Sequence, residues 1–128
     1  MILAPLRGVT IRCFRETFAD EIRAAGFTEA ITPFITANAG YDPLKDRELV
    51  GRGRETEDGR PDLRITPQFI GKDPEALRTC LEKIKTAGFD TADLNAGCPY
   101  PMVRRKGRGS GLLRTPDVLR RMLEVGCE

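Results

Sequence analysis

The sequence alternates between short runs of apolar residues and longer segments in which apolar side chains recur every three or four positions. The short runs predict buried β-strands at residues 2–4, 27–34, 64–70 and 91–94. The longer segments predict amphipathic helices, because this spacing places side chains on one face of a helix. Strands that alternate with helices favour a parallel sheet joined by right-handed crossovers.

The helical segments are bounded by residues typical of helix ends, with a Thr or Asp cap at the start and Gly at the end. Two predicted helices lie within Thr10–Gly26 and Asp73–Gly88, and a third begins at Thr115 and Pro116. The inward face predicted for the first helix is Ile11, Phe14, Phe18 and Ile22. The predicted elements therefore run strand, helix, strand, strand, helix, strand, helix.

A polar stretch separates the second and third predicted strands. Asp42 and Pro43 are typical of a helix start, which predicts a short helix through Leu49. Residues 52–62 are highly charged and interrupted by Gly and Pro, so they are predicted to form a solvated surface loop. A lid that faces a substrate is the alternative interpretation of this segment.

Chain length restricts the architecture. A complete (β/α) barrel needs about eight strand–helix units and about 250 residues, and the chain has 128 residues. The predicted fold class is therefore α/β: a partial (β/α) TIM barrel formed by roughly the first four β/α units with parallel strands. A small open α/β sheet is the alternative.

The amino-acid composition excludes several classes of catalytic and metal-binding site. The chain contains no His, which excludes a Ser-His-Asp triad, a Cys-His dyad and His-ligated zinc within it. Its four cysteines form no CxxC pair, so no metal site is predicted. No apolar run approaches membrane-spanning length, and a cytoplasmic protein with reduced thiols is expected. The net charge of +2 does not by itself argue for nucleic-acid binding.

The most informative stretch begins at the fourth strand. Cys98 follows the strand end and precedes residues 101–114, which carry five Arg or Lys and no acid. Such a local positive patch favours anions and can stabilise a thiolate. A reactive thiol and a small buried hydrophobic residue remain equally good interpretations of Cys98.

Two amide side chains and three glycines are further candidates for a binding site. Gln68 and Asn95 are polar residues near the ends of predicted buried strands, where amides can recognise a heterocycle or bond to a nearby backbone. Both interpretations of the amides stay open. Gly107, Gly109 and Gly111 are compatible with a phosphate-binding loop, although a plain connection is the better interpretation.

Taken together, these segments resemble the tRNA-dihydrouridine synthase family of flavin-dependent reductases. Residues 3–10 (LAPLRGVT) are similar to the family's opening LAPMxGVT, and Phe14 and Arg15 to its FR. Residues 67–75 (PQFIGKDPE) are similar to its Q-L-x-G-x-x-P-E segment. Residues 93–99 (DLNAGCP) match its D-x-N-x-G-C-P hallmark, and residues 103–113 resemble the continuation V-x-x-x-G-x-G-x-x-LL.

The chain departs from the family pattern at three positions. Leu6 replaces the usual Met, Ile11 stands where Asp is common, and Met102 where Lys is common. The resemblance also implies that residues 1–128 are the N-terminal half of a flavin-dependent TIM-barrel catalytic domain. The second half of that barrel and a C-terminal RNA-binding domain would then be absent from these residues.

The resemblance implies a reaction and a set of site residues. FMN, reduced by NADPH, would deliver a hydride from N5 to C6 of a uracil in tRNA, giving 5,6-dihydrouridine, and Cys98 would protonate C5. The flavin would be held by Ala4, Pro5, Leu6 and Gln68. The RNA would be contacted by Asn95, Arg104, Arg105, Lys106 and Arg108.

Two alternatives belong to other functional classes. The first is an FMN-dependent barrel oxidoreductase that acts on a free small molecule, such as a dihydroorotate-type reductase. The second is a catalytically inactive fragment that binds RNA or a partner. The first and fourth predicted strands would be open sheet edges, which invite pairing with another copy. The isolated chain is therefore expected to self-associate or to bind FMN poorly.

Overall fold

The computed structural model describes residues 1–49 and 63–127. The charged loop predicted at residues 52–62 lies outside the described residues. The strands are β1 (Ile2–Leu3), β2 (Glu29–Ile31), β3 (Ile35–Thr36), β4 (Arg64–Thr66), β5 (Gln68–Ile70) and β6 (Asp93–Leu94). The helices are α1 (Arg12–Thr17), α2 (Ala19–Ala24), α3 (Pro74–Thr86), α4 (Pro101–Arg104), a 3₁₀ helix (Gly109–Arg114) and α5 (Pro116–Cys127).

Every strand pairing among the described residues is parallel, as the strand–helix alternation predicts. One sheet has the order β1-β2-β4 and the other the order β3-β5-β6. This α/β arrangement with parallel strands is consistent with part of a barrel. No closed barrel forms within the described part of the chain.

Two strands predicted as continuous are each interrupted. The strand predicted at 27–34 becomes β2 and β3, and the strand predicted at 64–70 becomes β4 and β5. Pro67, which has no N–H to donate, separates β4 from β5. Thr32 connects the two sheets across this break, because its N–H donates to the Thr66 carbonyl at 3.0 Å and its Oγ1 accepts from the Gln68 N–H at 3.1 Å.

The main core lies between β5, α3 and α5. Phe69, Cys80 and Met122 are each 0% exposed, and Leu77 and Ile84 pack in the same cluster. The predictions for these helices are confirmed at their starts. The Asp73 carboxylate accepts from the Glu75 N–H at 3.0 Å and the Ala76 N–H at 3.3 Å, and Pro116 is the first residue of α5.

The first helical segment differs from its prediction. It forms two short helices that meet at Phe18, and Phe18 and Ile11 are 44% and 37% exposed, while Ile22 is buried. The predicted inward face is therefore only partly buried. Thr10 does not cap α1, because the N-cap position is Ile11, which makes no side-chain capping bond.

Turns replace the short helix predicted between Asp42 and Leu49. The Asp42 carboxylate accepts from the Leu44 N–H at 3.0 Å, and the Asp46 carboxylate accepts from the Glu48 N–H at 2.9 Å. These local side-chain bonds compete with helical hydrogen bonds and hold the backbone in turns. Similarly, the basic stretch predicted as a loop contains α4 and the 3₁₀ helix.

An ion pair between a buried arginine and a partly buried glutamate attaches this turn segment to α1. The Arg15 guanidinium, 4% exposed, donates to the Glu48 Oε2 at 2.9 Å and to the Thr10 carbonyl at 2.7 Å. The same Glu48 oxygen accepts from the Arg12 N–H at 2.9 Å, so it also satisfies a free donor at the start of α1. Arg15 thus links the residues before α1 to a segment more than thirty positions away in sequence.

We expect Arg15→Ala to lower the free energy of unfolding by about 2–3 kcal/mol, because Glu48 then keeps its charge in a partly buried site without its partner. Urea unfolding followed by circular dichroism measures the change. Arg12→Ala is the matched control, because its side chain makes a surface pair with Glu16 on the same helix, a type of pair worth at most about 1 kcal/mol. Equal effects of the two substitutions would contradict the importance of the pair between Arg15 and Glu48.

Candidate active site

The turn after β6 determines where Cys98 lies. The Asn95 N–H donates to the Phe69 carbonyl at 2.8 Å, which continues the pairing of β6 with β5. The Asn95 Oδ1 then accepts from the Gly97 N–H at 3.2 Å and the Cys98 N–H at 2.9 Å. This side-chain turn holds Cys98 directly beyond the carboxyl end of β6.

Gln68 is connected to the same turn. It opens β5 instead of ending a strand, and it is 7% exposed. Its Oε1 accepts from the Asn95 Nδ2 at 3.0 Å, and its Nε2 donates to the Asp93 Oδ2 at 2.7 Å. The parallel register, which sets Gln68 opposite Asp93, makes this contact possible.

Cys98 is half-buried, whereas Cys80 is completely buried and Cys13 is exposed. The Cys98 carbonyl accepts from the Ser110 N–H at 3.1 Å, so the start of the 3₁₀ helix folds back onto the backbone of Cys98. Gly109 allows this contact. Its φ is +55°, and a Cβ at this position would lie 2.8 Å from the Cys98 carbonyl oxygen.

The basic residues fall into two environments. Arg104, Arg105 and Lys106 are exposed, and they make no ion pair within residues 1–49 and 63–127. Arg108 is half-buried, and its Nε has no hydrogen-bond partner in the described structure. A fifth cation adjoins them, because Lys72 lies against Gly107. Among the described residues, these mostly exposed cations make no ion pair, and together they form a cluster that favours anions.

The residues predicted to hold a flavin lie on a separate loop after β1. Ala4 and Leu6 are exposed, with Leu6 56% exposed, and Pro5 is half-buried. The Thr10 Oγ1 organises this loop, since it accepts from the Leu6 N–H at 2.7 Å and donates to the Ala4 carbonyl at 3.2 Å. The hydroxyl predicted to cap a helix shapes the preceding loop instead.

The structure thus joins some predicted site residues and leaves others apart. Hydrogen bonds link Gln68, Asn95 and Cys98 into one network, and the basic segment is attached to it through the Cys98 carbonyl. No hydrogen bond connects that network to residues 4–6 in the part of the chain that the structure describes.

Three residues that support the candidate site were not identified as such from the sequence. Asp93 supports Gln68, Arg15 holds the Thr10 carbonyl, and Glu48 holds Arg15. Asp93 lies within the hallmark segment, but its link to Gln68 depends on strand register, which the sequence does not display. The two remaining residues meet only because distant segments pack together.

Two classes of feature are missing from the described residues. None of the helices there is long and apolar enough to span a membrane. Residues 1–49 and 63–127 also contain no group of three or more His, Cys, Asp or Glu side chains that could hold a metal ion.

Comparison with protein families decides the relationship that these motifs suggest. The sequence model of the family described as Dihydrouridine synthase (Dus) matches residues 2–125. The chain belongs to the dihydrouridine synthase family. The match covers both the loop after β1 and the network around Cys98, so both parts of the candidate site lie within the residues that the family model matches.

Similar proteins carry consistent names. A probable tRNA-dihydrouridine synthase of Staphylococcus aureus (strain COL) is 32% identical over 124 residues, covering 97% of this chain and 36% of that protein. A tRNA-dihydrouridine(16) synthase of Ralstonia nicotianae is 30% identical, covering 98% of this chain and 38% of its own length. A probable tRNA-dihydrouridine synthase 2 of Bacillus subtilis is 32% identical, with 97% and 36% covered. The chain therefore spans little more than a third of the relatives that it matches.

Proposed function

We propose that residues 1–128 are the N-terminal part of a flavin-dependent catalytic domain that reduces specific uridines of tRNA to 5,6-dihydrouridine. The observation that carries this proposal is the network of Gln68, Asn95 and Cys98 at the carboxyl end of β6, where α/β enzymes place their active sites. The family membership and the names of the relatives support it. The proposed location is the cytoplasm.

FMN is the proposed cofactor, with NADPH as its reductant, and Gln68 fits such a ligand. One Nε2 hydrogen is donated to Asp93 and one Oε1 lone pair accepts from Asn95, so one donor and one acceptor remain on the same amide. A pair of this kind suits the donor–acceptor edge of an isoalloxazine ring. Leu6 and Ala4 add exposed apolar surface on the loop after β1.

Reduced FMN, when bound, would supply the hydride that adds to C6 of the uracil. Cys98 would act as the general acid, because its half-buried thiol can give a proton to C5 while the C5=C6 bond is saturated. The thiol then recovers a proton from solvent. Asn95 would orient the Cys98 backbone and contribute its remaining Nδ2 hydrogen to the base.

The basic cluster would bind the RNA backbone. Arg104, Arg105 and Lys106 are exposed and unpaired among the described residues, as expected for groups that contact phosphates. The target uridine must leave its stack to reach a pocket beside Cys98. Arg108 is half-buried and directly precedes Gly109, which packs against the Cys98 backbone, so it would contact the phosphate of the extruded nucleotide.

The test is to express the protein from its complete gene and assay it with NADPH and tRNA that lacks dihydrouridine. We expect a yellow flavoprotein that forms dihydrouridine, detected by mass spectrometry of the digested tRNA. A flavin-loaded protein that reduces free pyrimidines but not tRNA would overturn the tRNA assignment. A purified protein that binds neither FMN nor tRNA would overturn the proposal as a whole.

The proposed RNA contacts give a salt-dependence prediction. We expect Arg104→Ala/Arg105→Ala/Lys106→Ala to reduce the slope of log affinity for tRNA against log salt by about 2–3, since each lost phosphate contact removes roughly 0.7–0.9. Fluorescence anisotropy at several salt concentrations measures the slope. The matched control removes three exposed cations on α3 and α5, namely Lys85, Arg120 and Arg121. A control slope that falls as much as the test slope would contradict a localised site.

A further inference from the structure

A directed series of hydrogen bonds runs from Asp93 to the backbone of Cys98. The Asp93 carboxylate accepts from the Gln68 Nε2 at 2.7 Å, and the Gln68 Oε1 accepts from the Asn95 Nδ2 at 3.0 Å. The Asn95 Oδ1 completes the series by accepting from the Gly97 and Cys98 N–H groups at 3.2 and 2.9 Å. Two side-chain amides therefore connect a charged group on β6 to the turn that bears the thiol.

Both ends of this series require the same amide orientations. An ionised carboxylate only accepts, so Gln68 must turn its Nε2 toward Asp93 and its Oε1 toward Asn95. Backbone N–H groups only donate, so Asn95 must turn its Oδ1 toward Cys98 and its Nδ2 toward Gln68. Hydrogen bonds aligned in one direction polarise and strengthen one another. The amide orientations required at the Asp93 end and at the Cys98 end therefore agree along the whole series.

We propose that Asp93 is a positioning residue for Cys98, which it holds in place through the amides of Gln68 and Asn95. Asp93 acts at a distance, because its carboxylate accepts from the Gln68 amide and not from the Cys98 turn. Gln68 is 7% exposed, so water cannot readily replace a lost partner at its amide. Removing the carboxylate therefore frees Gln68 to rotate, and Asn95 loses a fixed acceptor.

The catalytic role of this positioning by Asp93 rests on the proposed function, in which Cys98 is the proton donor. The structural claim itself can be tested without flavin, NADPH or tRNA. If uridine reduction is never observed while Asp93 still controls Cys98, only the proposed function fails. If the protein reduces uridine but Asp93 has no influence on Cys98, only this inference fails.

The experiment is pulsed alkylation with iodoacetamide of the protein expressed from its complete gene, followed by peptide mass spectrometry. Tryptic peptides 79–83 and 86–104 report Cys80 and Cys98 separately. Cys80 is the internal control, because it is 0% exposed and burial raises the pKa of its thiol, which slows its reaction. A structural change confined to the Cys98 turn raises the alkylation rate of Cys98 alone, whereas a general loosening of the fold raises the alkylation rates of both thiols.

We expect Asp93→Ala to raise the alkylation rate of Cys98 at least about fivefold, a factor that corresponds to roughly 1 kcal/mol, and to leave Cys80 unchanged. Asp93→Asn should stay within about twofold of the parent, because its Oδ1 can still accept from Gln68. That variant also removes the charge, so it separates hydrogen bonding from electrostatics. An unchanged Cys98 rate in Asp93→Ala would overturn the proposal.

If Asp93→Ala raises the alkylation rates of both Cys80 and Cys98, the double variant Asp93→Asn/Gln68→Glu, in which the amide and the carboxylate are exchanged, decides whether the hydrogen bonds matter. In this pair, Asn at position 93 donates to the new carboxylate, which still accepts from Asn95, and the net charge is unchanged. We expect the exchanged pair to restore the Cys98 rate, whereas Gln68→Glu alone, with two carboxylates in contact, should accelerate it. Failure of the exchanged pair to restore the rate would refute a role that depends on these hydrogen bonds.

Discussion

Cys98→Ala is expected to lower the rate of uridine reduction at least about 100-fold, because a positioned general acid typically contributes 10²–10⁴ to a rate. Flavin content should not change, because the thiol is not among the groups predicted to hold the flavin, which belong to Ala4, Pro5, Leu6 and Gln68. Single-turnover oxidation of the prereduced protein by tRNA, followed at the flavin absorbance, measures the chemical step directly.

Two variants make this result interpretable. Cys98→Ser retains a hydroxyl of similar size that is a far weaker acid, so we expect it to be nearly as slow as Cys98→Ala. Cys13→Ala removes an exposed thiol on α1, outside the proposed site, and should react at the parent rate. Full activity of Cys98→Ala would contradict the proposed acid, and a matching loss in Cys13→Ala would indicate damage to the fold.

The second large effect concerns Gly109. We expect Gly109→Ala to lower the free energy of unfolding by about 3–4 kcal/mol, from a left-handed backbone conformation and from overpacking. At φ +55° the new Cβ would lie 2.8 Å from the Cys98 carbonyl oxygen and 3.1 Å from a Val103 methyl carbon. The first of these neighbours is backbone, so it cannot rotate away. Denaturant unfolding measures the loss.

Gly97→Ala is the control in the same loop. A Cβ at Gly97 meets nothing within 4 Å among the described residues, and its φ is not positive. Its free energy of unfolding should therefore stay within about 1 kcal/mol of the parent. If Gly109→Ala were as mild as Gly97→Ala, the contact between the 3₁₀ helix and Cys98 would be looser than the structure indicates.

Local sequence was sufficient for the elements that depend on neighbouring residues. Asp73 and Pro74 marked the start of α3, and Pro116 that of α5, because caps and fixed proline φ angles act within one helical turn. Local patterns misled where a side chain bonded to nearby backbone, as the Asp42 carboxylate does by accepting from the Leu44 N–H in the turns that replace a predicted helix.

The candidate site shows the same division. Cys98, Gln68 and Asn95 were recognisable from residue type and from motifs that resemble one family, and that family is confirmed. Only the folded chain decided that Asp93 supports Gln68, that Thr10 shapes the loop at Leu6, and that Ser110 bonds to Cys98. These contacts depend on strand register and on packing between segments distant in sequence, and neither leaves a periodic signal along the chain.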